Sequence, residues 1–187
     1  MDTATPVTSV AVGSESGTLA SVSVRHERRH AEVLAPAVRW VLEQAEVDAG
    51  SLAGVAVGIG PGLFTGLRVG VSTAKALAQA WRLPMVAVPS LDLLAFAHRH
   101  VRRTICPVID ARRGEVFQRQ DDRFHVAGRA QSMPSAGALV ELALPRFQQE
   151  EFSSPLDVTP LYLRRPDVDP GVERRLASER AAGPGGS

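Results

Sequence analysis

Gly58 to Arg68, reading Gly-Ile-Gly-Pro-Gly-Leu-Phe-Thr-Gly-Leu-Arg, constrains this chain most, because closely spaced glycines join an apolar strand, Val55 to Ile59, to a helix. Glycine takes positive φ at little cost and lets another backbone approach closely. The first amides of the helix that follows are free for an anion or a partner. Neither common phosphate loop fits. A P-loop ends in Gly-Lys-Ser/Thr, and the dinucleotide fingerprint needs a third glycine where Leu63 stands. A turn that binds nothing is the other reading of the same residues.

Around this segment the pattern alternates strands and helices. Val7 to Val12 and Leu19 to Val24 flank the turn Gly13-Ser-Glu-Ser-Gly and predict a β-hairpin. Apolar residues recur at helical spacing from His30 to Ala45, with Pro36 inside the run, and again from Thr65 to Trp81. Met85 to Val88 reads as a strand, Ser90 as the N-cap of a helix over Leu91 to His100, and Ile105 to Ile109 as a strand that buries Cys106. Asp110-Ala-Arg-Arg-Gly is then a turn before Glu115 to Gln118. This order predicts a layered α/β domain over residues 1–109. Each mid-helix glycine costs about 1 kcal/mol relative to alanine. Gly66 and Gly70, one turn apart, therefore imply close approach by another helix or a turn.

Few residues suggest chemistry. His26-Glu-Arg-Arg-His30 matches the zinc-protease spelling, but that chemistry needs both imidazoles on one helical face. Here His26 ends a strand pattern and helical spacing begins only at His30, so no metal site is expected. Asp110 and Glu115 read as a charge-balanced turn with Arg112 and Arg113 between them. No Ser-His-Asp or Cys-His set can be assembled, and no catalytic residue is assigned. The net charge of +1 gives no general reason for tight nucleic-acid binding. No apolar run reaches membrane-spanning length and the start lacks a signal-peptide layout, so a cytoplasmic protein with no membrane association is expected.

Asp2-Thr-Ala-Thr, Arg29-His-Ala-Glu-Val-Leu-Ala-Pro, the glycine segment continued through Val69-Gly-Val-Ser-Thr-Ala-Lys-Ala-Leu-Ala, Leu83-Pro-Met-Val-Ala-Val-Pro-Ser-Leu-Asp and Asp110-Ala-Arg-Arg-Gly-Glu-Val-Phe occur in one order. Together they resemble the TsaB/YeaZ family, near continuously over residues 2–117 and patchily afterwards, where Leu161-Tyr-Leu-Arg-Arg-Pro-Asp agrees again. The resemblance implies a ribonuclease-H-like fold of the actin, hexokinase and Hsp70 group. The chain departs from the family's pattern in its second lobe, residues 110–166, which reads as reduced and shorter than the family's, and residues 167–187, rich in Pro, Gly and charge, read as a flexible tail. Residues 118–160 receive no fold assignment.

The function implied is that of a non-catalytic subunit supporting the formation of N6-threonylcarbamoyladenosine beside the anticodon of tRNAs that read A-starting codons. The implied partners are a TsaD-like catalytic paralogue, a TsaE-like ATPase and tRNA held through the complex, with a homodimer when the chain is alone. The implied cofactors are none of its own, with ATP and Mg²⁺ used by the complex. Helices His30 to Ala45 and Thr65 to Trp81 are the expected docking elements, with Arg29, Leu34, Val38, Gly66, Leu67, Arg68, Gly70, Val71 and Ala74 as interface candidates. Asp2, Thr3 and Thr5 occupy the place of the superfamily's first phosphate-contacting turn and form a vestigial phosphate site. A small actin-like ATPase or kinase using Asp2 and Thr3 is the alternative, followed by a metalloprotease on His26 and His30.

Overall fold

A computed structural model describes residues 1–26, 28–102, 105–112, 115–118 and 134–162. The predicted hairpin is present: β1 (Val7–Ser14) pairs antiparallel with β2 (Gly17–Arg25), Val10 opposite Val22. Helix α1 (His30–Gln44) runs through Pro36, and β3 (Val55–Gly58) leads by the glycine turn into α2 (Phe64–Trp81). β4 (Met85–Val88) then pairs parallel with β3, as a strand–helix–strand unit requires. Helix α3 (Ser90–Ala97), the antiparallel pair β5 (Val108–Arg112) and β6 (Glu115–Gln118), and α4 (Ala136–Gln148) follow.

The first two strand pairs are joined by the start of the chain. Asp2 and Ser9 exchange both backbone hydrogen bonds. On the other side the Met1 amine donates to the Ala56 carbonyl at 2.9 Å, and Gly58 N–H donates to the Met1 carbonyl at 2.9 Å. The result is one layer in the order β2, β1, residues 1–2, β3, β4.

Alternation along the strands divides the core between two faces. Val10 and Val12 pack with Leu34, Ala37, Val38 and Val41 of α1, and Val55 and Val57 pack with Val71, Ala74 and Ala78 of α2. Val86 and Val88 point the other way, onto Leu139 and Ala143 of α4. A sheet apolar on both faces, covered by helices on each, explains why β3 and β4 read as continuous apolar runs.

Two expectations are corrected here, those on Cys106 and on the end of α3, and part of the 110–166 segment packs on the first sheet. Helix α4 covers the first sheet, and the segment after it lies along that sheet: Ser153 N–H donates to Met85 O, Leu161 N–H donates to Ile59 O, and Val158 joins the α2 core. Cys106 is half-buried and precedes the strand, which begins at Val108. Pro107, with no N–H to give a ladder, accounts for the late start. Helix α3 ends at Ala97 rather than His100. The tail over 167–187 lies outside the described residues.

Candidate functional site

The Asp2–Thr5 turn is the point on which β3, the glycine loop, α2 and α3 converge. Asp2 is 1% exposed. Its Oδ2 accepts a hydrogen bond from Ser90 Oγ at 2.6 Å, and its Oδ1 accepts one from Ala4 N–H at 3.0 Å. Ser90 Oγ accepts in turn from Gly60 N–H at 3.1 Å. Burial pushes the Asp2 carboxyl above the usual carboxylate range, opposed by those donors and by the Met1 amine. The loop's glycines are demanded by this contact. A Cβ on Gly58 would meet the Asp2 carboxylate, and one on Gly62 would meet the Ala4 carbonyl. Gly60 itself has φ of 95° and precedes a cis bond to Pro61.

Asp2, Thr3 and Thr5 are therefore not an open phosphate site. All are buried, Thr3 Oγ1 donates to the Gly66 carbonyl at 2.7 Å, and Asp2 is closed over by Ser90. Thr5 Oγ1 is buried without a partner among the described residues. Ser90, read as a helix cap, is the first residue of α3, and its hydroxyl serves Asp2 instead of its own helix. Nothing local in the sequence signals that use.

Beside this turn lies a hydrogen-bond relay whose proton positions follow from its partners. Arg29 N–H donates to His26 Nδ1 at 3.1 Å, so the proton of a neutral His26 sits on Nε2 and is given to Thr8 Oγ1 at 2.8 Å. The Thr8 hydroxyl then donates to His30 Nδ1 at 2.9 Å, which leaves the His30 proton on Nε2. That nitrogen is buried, faces Gly66 and has no partner among the described residues. Burial, with His26 beside it, lowers the His30 pKa to about 4. The rings meet edge to face with centroids 4.4 Å apart. Helix α1 starts at His30, so His26 and His30 share no helical face, and the His-Glu-x-x-His spelling has no zincin geometry here.

The interface candidates divide sharply. Leu34, Val38, Gly66, Leu67, Gly70, Val71 and Ala74 are all buried within this chain. A Cβ on Gly66 would meet the Thr3 carbonyl, and one on Gly70 would meet Thr3 Oγ1. The close approach that these small residues allow is made by the Asp2–Thr5 turn of the same molecule, so they present no side chain to a partner. Arg29 and Arg68 are exposed. Arg29 pairs with Glu32 at 2.7 Å, and the Arg68 guanidinium lies 5.4 Å from the centroid of the Phe64 ring. The outward faces carry Ala35, Arg39 and Trp40 on α1, and Thr65, Ser72 and Ala76 on α2. Trp40 is 44% exposed, and neither sequence spacing nor resemblance had singled it out.

A helix-covered α/β sheet with an aspartate–threonine turn seated against a glycine loop defines the ribonuclease-H-like, actin-like class. YeaZ from Pseudomonas aeruginosa superposes with a TM-score of 0.74 at 27% identity, covering 87% of this chain and 97% of that one. The profile of the TsaD family, tRNA N6-adenosine threonylcarbamoyltransferase, matches residues 21–146. The chain is 35% identical over 117 residues to the tRNA threonylcarbamoyladenosine biosynthesis protein TsaB of Bacillus subtilis, covering 63% of this chain and 51% of that protein. Over 169 residues it is 33% identical to the uncharacterised protein Rv3421c of Mycobacterium tuberculosis, covering 76% and 79%. The chain belongs to the TsaB/YeaZ family. It spans about half the length of the TsaB relatives from B. subtilis and Escherichia coli, 51% of each.

Proposed function

We propose that this chain is a non-catalytic subunit of an assembly that makes N6-threonylcarbamoyladenosine in tRNA, and that it acts by docking on a TsaD-type catalytic subunit. The observation that carries the non-catalytic half of this reading is the closed Asp2–Thr5 turn: the carboxylate that would face a phosphate or its metal is held by Ser90 and Ala4. Family membership carries the other half. The docking surface is assigned to the exposed sides of α1 and α2, around Trp40, Arg68 and Ala76, since the inner sides are filled by the chain's own core. ATP and Mg²⁺ belong to other members of the assembly, a TsaE-type ATPase among them. The tRNA is reached through the complex, and the same helices pair two copies when no partner is present.

The test is co-expression with the TsaD-type protein of the same organism, followed by purification through a tag on this chain and by nucleoside analysis of tRNA after depletion of the chain. Co-elution and loss of the modified nucleoside are expected. Steady ATP hydrolysis by the isolated chain that vanishes in Asp2→Ala would overturn the non-catalytic reading in favour of the ATPase alternative.

A further inference from the structure

Among the described residues β4 is the outer strand of the layer, and its sequence makes an open edge there a liability. Met85-Val-Ala-Val is apolar and uncharged and carries two β-branched residues. Such a strand, left with unpaired N–H and C=O groups, is a template on which another chain can pair. In a parallel ladder, consecutive residues of one strand send their N–H and C=O to opposite sides. Val55 N–H meets the Pro84 carbonyl and Ile59 N–H meets the Val88 carbonyl, so 84, 86 and 88 face β3. Met85 and Ala87 therefore turn their N–H and C=O outward.

Both outward carbonyls are taken by groups of the same chain, from α4 and the residues after it. Ser153 N–H donates to the Met85 carbonyl at 2.9 Å, in an antiparallel contact one residue long. Arg146 is half-buried and donates from Nη1 to the Ala87 carbonyl at 2.7 Å. It lies in the last turn of α4, where the helix's own carbonyl end also favours a cation, yet its Nη1 is given to β4. A guanidinium in that position fills the place of a neighbouring strand's N–H and sets a charge against an apolar strand. The outward donors stop at both ends of β4. Leu83 N–H turns back to the Ala78 carbonyl, and Pro89 has no N–H to give.

We propose that Arg146 is a guard on the β4 edge, and that the partner it excludes is a second copy of this chain. The edge is complementary to itself. Two β4 strands laid antiparallel about a two-fold axis set Met85 of one copy against Ala87 of the other, each residue giving an N–H and accepting at a C=O. With the guanidinium in place, an incoming strand must strip a charged donor from its acceptor and lay apolar side chains against a cation. Without it the Ala87 pair is free, and the lone Ser153 bond is exchanged like for like for one from the incoming strand. The edge lies on the sheet and not on the outer sides of α1 and α2, so this role is independent of the proposed docking.

The test is sedimentation velocity on the 187-residue wild type, Arg146→Ala and Arg146→Ala/Ala87→Pro, from about 1 to 100 μM, a range in which exposed strand edges associate. Arg146→Ala is expected to form species larger than any that wild type forms at the same concentration. Hydrogen exchange at the Ala87 amide should slow at least about tenfold as they form. Ala87→Pro removes the outward N–H and leaves the ladder to β3 in place, so the double variant returns to the size of wild type. Association caused by loss of folding would act the other way, because a proline in the strand lowers stability further and such association would grow. Wild-type sedimentation of Arg146→Ala at every concentration, larger species with an unprotected Ala87 amide, or association that persists in the double variant would each overturn the guard.

Discussion

Helix α2 carries small residues on both of its faces, and the two faces meet different surroundings. On the inner face Gly66, Gly70, Ala74 and Ala78 are buried, the first two against Thr3. On the outer face Thr65, Ser72, Ala76 and Ala80 are exposed beside Arg68. Small residues at helical spacing report how closely something approaches, but not what approaches. The inner glycines answer to a turn sixty-odd residues earlier in the same chain, as the Thr3 bond to Gly66 shows. Only the outer face is available to another molecule.

The largest effect that separates the faces is steric. Gly70→Leu places its Cβ on Thr3 Oγ1, the hydroxyl that holds the Gly66 carbonyl. Added volume in a packed interior costs about 1–3 kcal/mol, occasionally more, and this position is expected at the upper end because Thr3 is fully buried and its hydroxyl is tied to the Gly66 carbonyl. Thermal unfolding of the isolated chain measures it. A variant that melts like wild type would return Gly70 to the surface and restore it as a docking residue.

A second effect belongs to the inner region alone and is read by pH. His30 takes its proton near 6.5 in the unfolded chain and only near 4 in the fold. Between those values the unfolded state binds more protons, so stability rises with pH. The contribution is fully present above about 6.5 and is lost as pH falls toward 4. Asp2 works with the opposite sign, since its raised pKa makes the fold hold that proton more tightly as pH falls. His30→Gln removes the first contribution and leaves the second. Its Tm should fall less steeply than that of wild type from pH 6.5 to 4. At pH 7 the variant should be less stable by about 1–2 kcal/mol, for the bond lost to Thr8. Parallel pH profiles would remove His30 from the interior relay.

How much of this was legible in the sequence depended on how local the cause was. The hairpin, α1, β3, α2 and β4 were read to within a residue or two because each is written in its own periodicity. Helix α4 was not, although Ala136, Leu139 and Ala143 have helical spacing, since what orders it is a sheet built from residues far earlier in the chain: Ala136 N–H donates to Ser9 Oγ across 127 residues. Ser90 was misread for the same reason, with its partner Asp2 lying 88 residues away. The relay was half visible. Helical spacing placed the start of α1 at His30 and so removed the zinc reading, but nothing in the spacing pointed to Thr8 as the group between the rings.

The outer face gives a smaller effect, which falls on binding rather than folding. Ala76→Glu lies on an exposed turn of α2, where a substitution that keeps helix propensity changes stability by within about 0.5 kcal/mol. Docking of a TsaD-type partner on this face should weaken about tenfold, equivalent to about 1.4 kcal/mol. Calorimetric titration with circular dichroism as the folding control separates the two. Full affinity in the folded variant would move the docking surface off α2.

The smallest effect tests the end of the helix rather than either face. Arg82 ends α2 with φ of 56° and ψ of 43°, while Leu83 N–H reaches back to the Ala78 carbonyl at 2.8 Å. A left-handed conformation costs an L-residue about 1–2 kcal/mol, and glycine avoids most of that cost. Glycine also loses more backbone freedom on folding, which returns roughly 0.5–1 kcal/mol of the gain. Arg82→Gly is therefore expected to stabilise the chain by about 0.5–1 kcal/mol and to raise Tm by about 1–4 °C. Because the guanidinium of Arg82 is exposed at the helix terminus, beyond the turn that carries Ala76, partner affinity should not change. A loss of affinity in the stabilised variant would extend the docking surface to the end of α2. A loss of stability would show that the Arg82 side chain contributes contacts worth more than the backbone strain it carries.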